Sequence, residues 1–188
     1  ITADIGIENS TSSINTTRKY IDVLNKLFVL DNLHAWNPNL RSKTAIRTTD
    51  TIYFTDPSIA TSALGIAPND LLNDLKTLGF LFETMAIRDL KIFAGTINGT
   101  LYHYRDKNNL ECDAVLHLKN GSYGLIEIKL GGTNSIHEGI KNLKTLESKI
   151  DTEKMSKPSF LMVLTGVGEF AFKSHEGVFV VPIGCLKN

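Results

Sequence analysis

The chain has 188 residues, with 20 Lys plus Arg against 20 Asp plus Glu and a net charge of zero. At 42% hydrophobic and 21% charged it has an ordinary globular composition, and no apolar run is long enough to span a membrane as a helix. Zero net charge argues against the large positive footprint of an indiscriminate nucleic-acid binder. Two distant cysteines, Cys112 and Cys185, without a CxxC pair, exclude a cysteine-rich zinc module and fit a reducing cytoplasm.

The first stretch reads as a small α+β unit over residues 1–66. Ser13 or Asn15 can cap a helix running to about Leu30, with Ile21, Leu24, Leu27 and Phe28 as its apolar stripe. Short apolar pieces follow at Phe28–Leu33 and Thr51–Phe54, separated by a polar stretch carrying Arg41, Lys43 and Arg47. A helix followed by a β-ribbon with a basic loop is the outline of a winged helix. Its nucleic-acid contacts would come from Arg18 and Lys19 on the helix and Arg41, Lys43 and Arg47 on the wing. Trp36 and Tyr20 read as packing residues of that unit.

Gly65-Ile66-Ala67-Pro68-Asn69-Asp70 marks a boundary, placing a second unit at 67–188. Asn69 can cap a helix through Leu71, Leu72, Leu75, Leu78 and Phe82 to about Phe93, with a bend at Gly79. Strands are expected at Thr100–Arg105, Glu111–Leu118 and Ser122–Leu130, the last two joined by Lys119-Asn120-Gly121. After Gly131-Gly132 comes a helix with Ile136, Ile140, Leu143, Leu146 and Ile150 at helical spacing and a Ser135/Glu138 capping box. Phe160–Leu164 and Val178–Ile183 read as buried strands.

The chemistry lies in the hairpin. A three-residue turn with Gly121 in the left-handed conformation sets Leu118 opposite Ser122, Asp113 opposite Glu127 and Glu111 opposite Lys129. Glu111, Asp113, Glu127 and Lys129 then share one face at one end of the ribbon. The other face, Cys112, Ala114, Leu116, Leu118, Ile126, Ile128 and Leu130, is core. A two-residue turn would put Asp113 and Glu127 on opposite faces. Clustered carboxylates repel and raise each other's pKa, a conflict that Mg²⁺ or Mn²⁺ resolves. Glu83, in line with Ile87 and Leu90 on the preceding helix, faces inward and needs a partner. The five histidines show no metal-ligand spacing, and Lys141 and Lys144 read as a solvated polar face.

Gly79-Phe80-Leu81-Phe82-Glu83, Tyr102-His103-Tyr104-Arg105, Glu111-Cys112-Asp113 and Ile126-Glu127-Ile128-Lys129, in that order, resemble a region of unknown function that lies C-terminal to AAA+ ATPase domains in bacterial and archaeal proteins. That region looks like a PD-(D/E)XK nuclease-like domain. The stretch from Asn15 to Ile21, with His34–Asn37 and Tyr53–Asp56, resembles the winged-helix segment of the same proteins.

The resemblance implies a winged-helix-like segment followed by a restriction-endonuclease-like mixed sheet flanked by helices. Asp113 and Glu127 would be metal ligands, Lys129 the catalytic lysine and Glu83 the helix acid completing the site. The implied activity is hydrolysis of nucleic-acid phosphodiesters with Mg²⁺ or Mn²⁺, DNA being the expected partner; the alternative is a non-catalytic DNA- or protein-binding regulatory module of the ATPase. Cys112 stands where such nucleases often carry proline. The chain has no GxxxxGK[ST], so no ATP site is expected in it, and its start at Ile1 reads as an internal position preceded by the ATPase domain.

Overall fold

The computed structural model describes residues 11–38 and 49–186. Among them are five α-helices, a two-stranded ribbon and a six-stranded mixed sheet, an α+β architecture. None of these helices is long and apolar enough to cross a membrane.

Helix α1 spans Thr11–Lys26. It stops short of the expected Leu30 because Phe28 adopts a left-handed backbone, φ 57°, which turns the chain out of the helix. Leu27 and Phe28 therefore lie beyond the helix and are exposed, as is Tyr20, expected to pack. Strands β1 (Leu30–Leu33) and β2 (Thr51–Phe54) form the expected antiparallel ribbon, pairing Leu30 with Phe54 and Leu33 with Thr51. Arg41, Lys43 and Arg47 fall outside the described residues.

Helix α2 (Pro57–Leu64) has no counterpart in the sequence reading, although its start is well signalled. Asp56 accepts from the Ser58 N–H and Pro57 opens the first turn. Pro68 opens α3 (Pro68–Asn73) in the same way, with Ala67 rather than Asn69 at the cap. The long helix α4 (Leu75–Thr96) begins afresh at Asp74, whose carboxylate accepts from the Thr77 N–H and hydroxyl. The break thus sits at Asp74 and not at Gly79, which lies within the helix.

Strands β3 (Gly99–Arg105), β4 (Glu111–Leu118) and β5 (Tyr123–Lys129) run antiparallel in sequence. Helix α5 (Thr133–Lys149) crosses back to β6 (Phe160–Thr165), which pairs parallel to β5. The short β7 (Phe172–Lys173) and β8 (Phe179–Pro182) complete the order β3-β4-β5-β6-β8-β7. Gly132, φ 89°, occupies the N-cap of α5, so the expected Ser135/Glu138 box does not form.

Two layers of core flank this sheet. On one face Phe82, Ile87 and Leu90 of α4 pack on Ala114, Ile126, Ile128 and Leu164. On the other, Ile140, Leu143 and Leu146 of α5 pack on Val115, Tyr123, Leu125 and Val163. The hairpin is therefore buried on both faces, where the sequence pattern suggested one. The N-terminal region joins the same layers. Leu33 is fully buried in the α4 layer and Trp36 in the α5 layer, against Tyr104 and Tyr123. Ala35 forms a parallel bridge to His103 on the free edge of β3. Trp36 thus packs in the main core and not within the N-terminal unit.

Candidate functional site

The β4–β5 turn has three residues. Gly121 has φ 86° and donates to Leu118 O, and Leu118 N donates to Ser122 O at 2.8 Å. The left-handed conformation that this turn needs is cheap for glycine alone. The ladder from His117–Tyr123 runs to Ala114–Ile126. Asp113 and Glu127 are the next residues in that register, at the end of the sheet away from the turn.

There the regular ladder stops. Against β3, the pairing of β4 slips by one residue between Tyr102–Val115 and Tyr104–Cys112, a β-bulge around Asp113. The bulge lets the Asp113 carboxylate reach across to accept from the Ile128 N–H at 2.7 Å. It also turns Cys112 into the α5 layer with Val115 and Leu125, where the alternation placed it with Ala114 and Ile126. Both cysteines are free.

Glu127 is buried against α5, where Gly139 leaves room for it: a Cβ on that glycine would lie 3.4 Å from the Cβ of Glu127. Lys129, two residues on, pairs with Glu127 Oε2 at 3.0 Å. Glu127 Oε1 is buried with no hydrogen-bond partner. Burial and the neighbouring Asp113 push the Glu127 carboxyl up to about 8. Burial also raises Asp113, against the pull of Lys129 and the Ile128 N–H. Glu83 on α4 is raised by burial and by Asp113. Lys129 is raised, the carboxylates of Glu127 and Asp113 outweighing its own burial, with Glu138 adding to the field. Asp113 and Lys129 thus act electrostatically on both Glu83, which comes from α4, and Glu127, which is buried against α5.

Two expected pairings differ. Glu111 is exposed and pairs with Arg105 at 3.2 Å rather than with Lys129. Glu83 does turn inward, but its hydrogen-bond partner is the Tyr53 hydroxyl, which donates to Oε1 at 2.7 Å. No sequence pattern joins Tyr53 to Glu83, since it lies on the N-terminal ribbon, 30 residues away. Arg18 and Lys19 are exposed on α1, whereas Lys144 is tied to Glu147.

The comparisons with known proteins locate this cluster within a family. A family model described as "Domain of unknown function (DUF4143)" matches residues 78–186, more than half of the chain. The chain belongs to the DUF4143 family. A second model, "Domain of unknown function (DUF8612)", matches residues 3–70. No match was found among curated proteins or among solved structures. Glu83, Asp113, Glu127 and Lys129 lie within the DUF4143 match, and Tyr53 within the DUF8612 match.

Among the described residues no group of three His, Cys, Asp or Glu side chains forms a ready-made metal cage. The donor set still suits a hard divalent cation. Mg²⁺ commonly takes one or two carboxylates and keeps several waters, and the orphaned, buried Glu127 Oε1 is an oxygen with no other partner. An unpaired carboxylate oxygen in a buried site costs about 1–3 kcal/mol unless something satisfies it.

Proposed function

We propose that the chain hydrolyses nucleic-acid phosphodiesters with Mg²⁺ or Mn²⁺ at a PD-(D/E)XK-type site. Asp113 and Glu127 hold the cation, and Lys129 and Glu83 are the catalytic side chains. The observation that carries this reading is the buried, unpartnered Glu127 Oε1 in a cluster where Lys129 is the facing cation for three raised carboxyls. The element order supports it. Helix α4 brings Glu83, the second strand of the sheet Asp113, and the third strand Glu127 and Lys129, followed by α5 and a parallel strand. That is the sequence of parts the nuclease resemblance calls for.

When bound, the cation would lower the pKa of a coordinated water and neutralise charge on a phosphoryl oxygen. Lys129 holds its positive charge beside the two ligands, where the phosphate's negative charge grows as water adds to phosphorus. Glu83, its carboxyl raised by burial and by Asp113, can hold or pass the water's proton. In this reading α1 and the β1–β2 ribbon form the winged-helix-like segment, with Arg18 and Lys19 touching the DNA backbone. The cytoplasm is the compartment, and an upstream ATPase domain is the partner in the same polypeptide.

The second reading is a DNA- or protein-binding regulatory module of the ATPase that does not turn over; zero net charge, with Arg88 paired to Asp56 and Lys91 to Asp31, weighs against a strong grip on DNA in either reading. Incubation of the full chain with DNA and Mn²⁺ separates the two. Cleavage that Asp113→Ala and Lys129→Ala each reduce by roughly a hundredfold or more supports hydrolysis. Cleavage that survives both changes overturns the assignment. Salt-dependent binding without cleavage favours the module.

A further inference from the structure

The Tyr53–Glu83 hydrogen bond joins two parts of the chain that the sequence reading kept separate. The β1–β2 ribbon lies along α4 through several contacts. Asp31 pairs with Lys91 at 2.6 Å, and Lys91 also donates to Asn32 O at 2.9 Å. Asp56 pairs with Arg88, and Leu33 is fully buried in the α4 layer. These contacts place the ribbon so that Tyr53 meets α4 at the one turn that carries Glu83.

The phenol is a committed donor there. Burial together with Glu83, Asp113 and Glu111 holds its pKa far above the ordinary tyrosine range, so it keeps its proton at any pH the protein meets. A half-buried phenol hydroxyl needs a partner, and this one has taken an oxygen of a candidate catalytic acid. Packing alone would be met by phenylalanine.

We propose that Tyr53 is a positioning residue of the site: its hydroxyl fixes one oxygen of Glu83 and stops that side chain from rotating away from Asp113, so that the N-terminal ribbon completes a site otherwise built from α4, β4 and β5. This inference rests on the metal-site reading above. Tyr53 acts through Glu83 and touches neither cation nor substrate. Glu83 acts electrostatically on the ligand Asp113, so its negative charge adds to the field that holds the cation, and outer groups around metal ligands typically change affinity or activity by about ten- to a hundredfold when removed.

The test is Mn²⁺ binding to the full chain, followed by electron paramagnetic resonance of free and bound ion and needing no turnover. Four proteins are compared: wild type, Tyr53→Phe, Asp106→Asn and Asp113→Asn. Tyr53→Phe removes only the hydroxyl, whereas Asp106→Asn weakens the fold at the ion pair with Lys149 and leaves the ribbon and its hydroxyl in place. Thermal midpoints without metal establish that each is folded at the titration temperature. The expected result is saturable binding by wild type, lost in Asp113→Asn, weakened roughly tenfold in Tyr53→Phe and unchanged in Asp106→Asn. Wild-type affinity in Tyr53→Phe, or equal weakening in Asp106→Asn, overturns the positioning role while leaving the metal site intact. Absence of saturable Mn²⁺ binding in wild type overturns the metal site and the positioning role together.

Discussion

Lys129 Nζ lies 3.0 Å from Glu127 Oε2, two residues back on the same strand, while Glu127 Oε1 is buried without a partner. The pair is therefore half-satisfied. One ammonium faces three carboxyl groups, and it engages a single oxygen of the most buried of them. An ionised carboxylate in that position is expensive, and its proton affinity rises accordingly.

A pH dependence follows. The Glu127 carboxyl sits at about 8 in the fold against an ordinary 4.5. Between those values the native state binds more protons than the unfolded state, so stability falls as pH rises through that window. Glu83 and Asp113 are raised too and contribute with the same sign. The lowered His103 acts oppositely, but only below its ordinary 6.5. Thermal denaturation of the metal-free chain should show a lower midpoint at pH 8.5 than at pH 6.5. Glu127→Gln should flatten that slope, and millimolar Mg²⁺ should raise the midpoint most at the higher pH.

Removing the cation of the cluster should hurt even without catalysis. Lys129→Met leaves an ionised Glu127 with no facing positive charge and should destabilise the fold at pH 9 by about 1–3 kcal/mol. The loss should shrink toward pH 6, where the Glu127 carboxyl, raised to about 8, holds its proton. Urea unfolding at the two pH values measures it, and an equal loss at both would contradict the electrostatic origin.

The turn that sets the register can be tested separately. Gly121 has φ 86° with open space around a Cβ, so the cost of a side chain there is conformational rather than steric. Gly121→Val should cost about 1–2 kcal/mol, since a β-branched residue resists the left-handed region. Gly121→Asn should cost less, because asparagine tolerates that conformation. Chemical denaturation of the two variants ranks them.

Asp106 provides a stability control that pairs with α5 and not with the site acids. It is fully buried, accepts from the Asn108 and Leu110 N–H groups, and pairs with Lys149 at 3.1 Å. Those partners outweigh its burial and hold its carboxyl below the usual range. A depressed pKa gives stability that is present above the unfolded value and lost as pH falls through the folded one. Asp106→Asn should therefore destabilise at pH 7 by roughly 1–3 kcal/mol, less at pH 3, and leave Mn²⁺ affinity unchanged. Calorimetry and metal titration of that variant check both statements.

The hairpin was legible because alternation and a Lys-Asn-Gly turn are local signals, and together they set Asp113 opposite Glu127. Helix α5 was legible from Ile136 through Ile150 because its apolar face repeats at helical spacing. The two-sided burial of β4–β5 was not. An alternating acid pattern at the strand end hides Val115, Tyr123 and Leu125 as a second core face, and only the parallel β6 and the α5 crossover reveal it. Nor was the bulge at Asp113, which depends on how β3 meets β4. Helix α2 leaves only Asp56 and Pro57 as sequence signals, because its short run of Ser, Ala and Thr carries little apolar periodicity. Strand β7 is too short to leave a pattern. Tyr53 belongs to a class of residue that one sequence cannot expose, since its role depends on a contact made across the fold.

The most direct test of the site is anomalous scattering from crystals soaked in Mn²⁺. The expected result is a peak within coordination distance of Asp113 and Glu127, with Glu127 Oε1 among its ligands and Lys129 nearby. Full occupancy of Mn²⁺ elsewhere on the molecule, with Glu127 Oε1 still unpartnered, would contradict it.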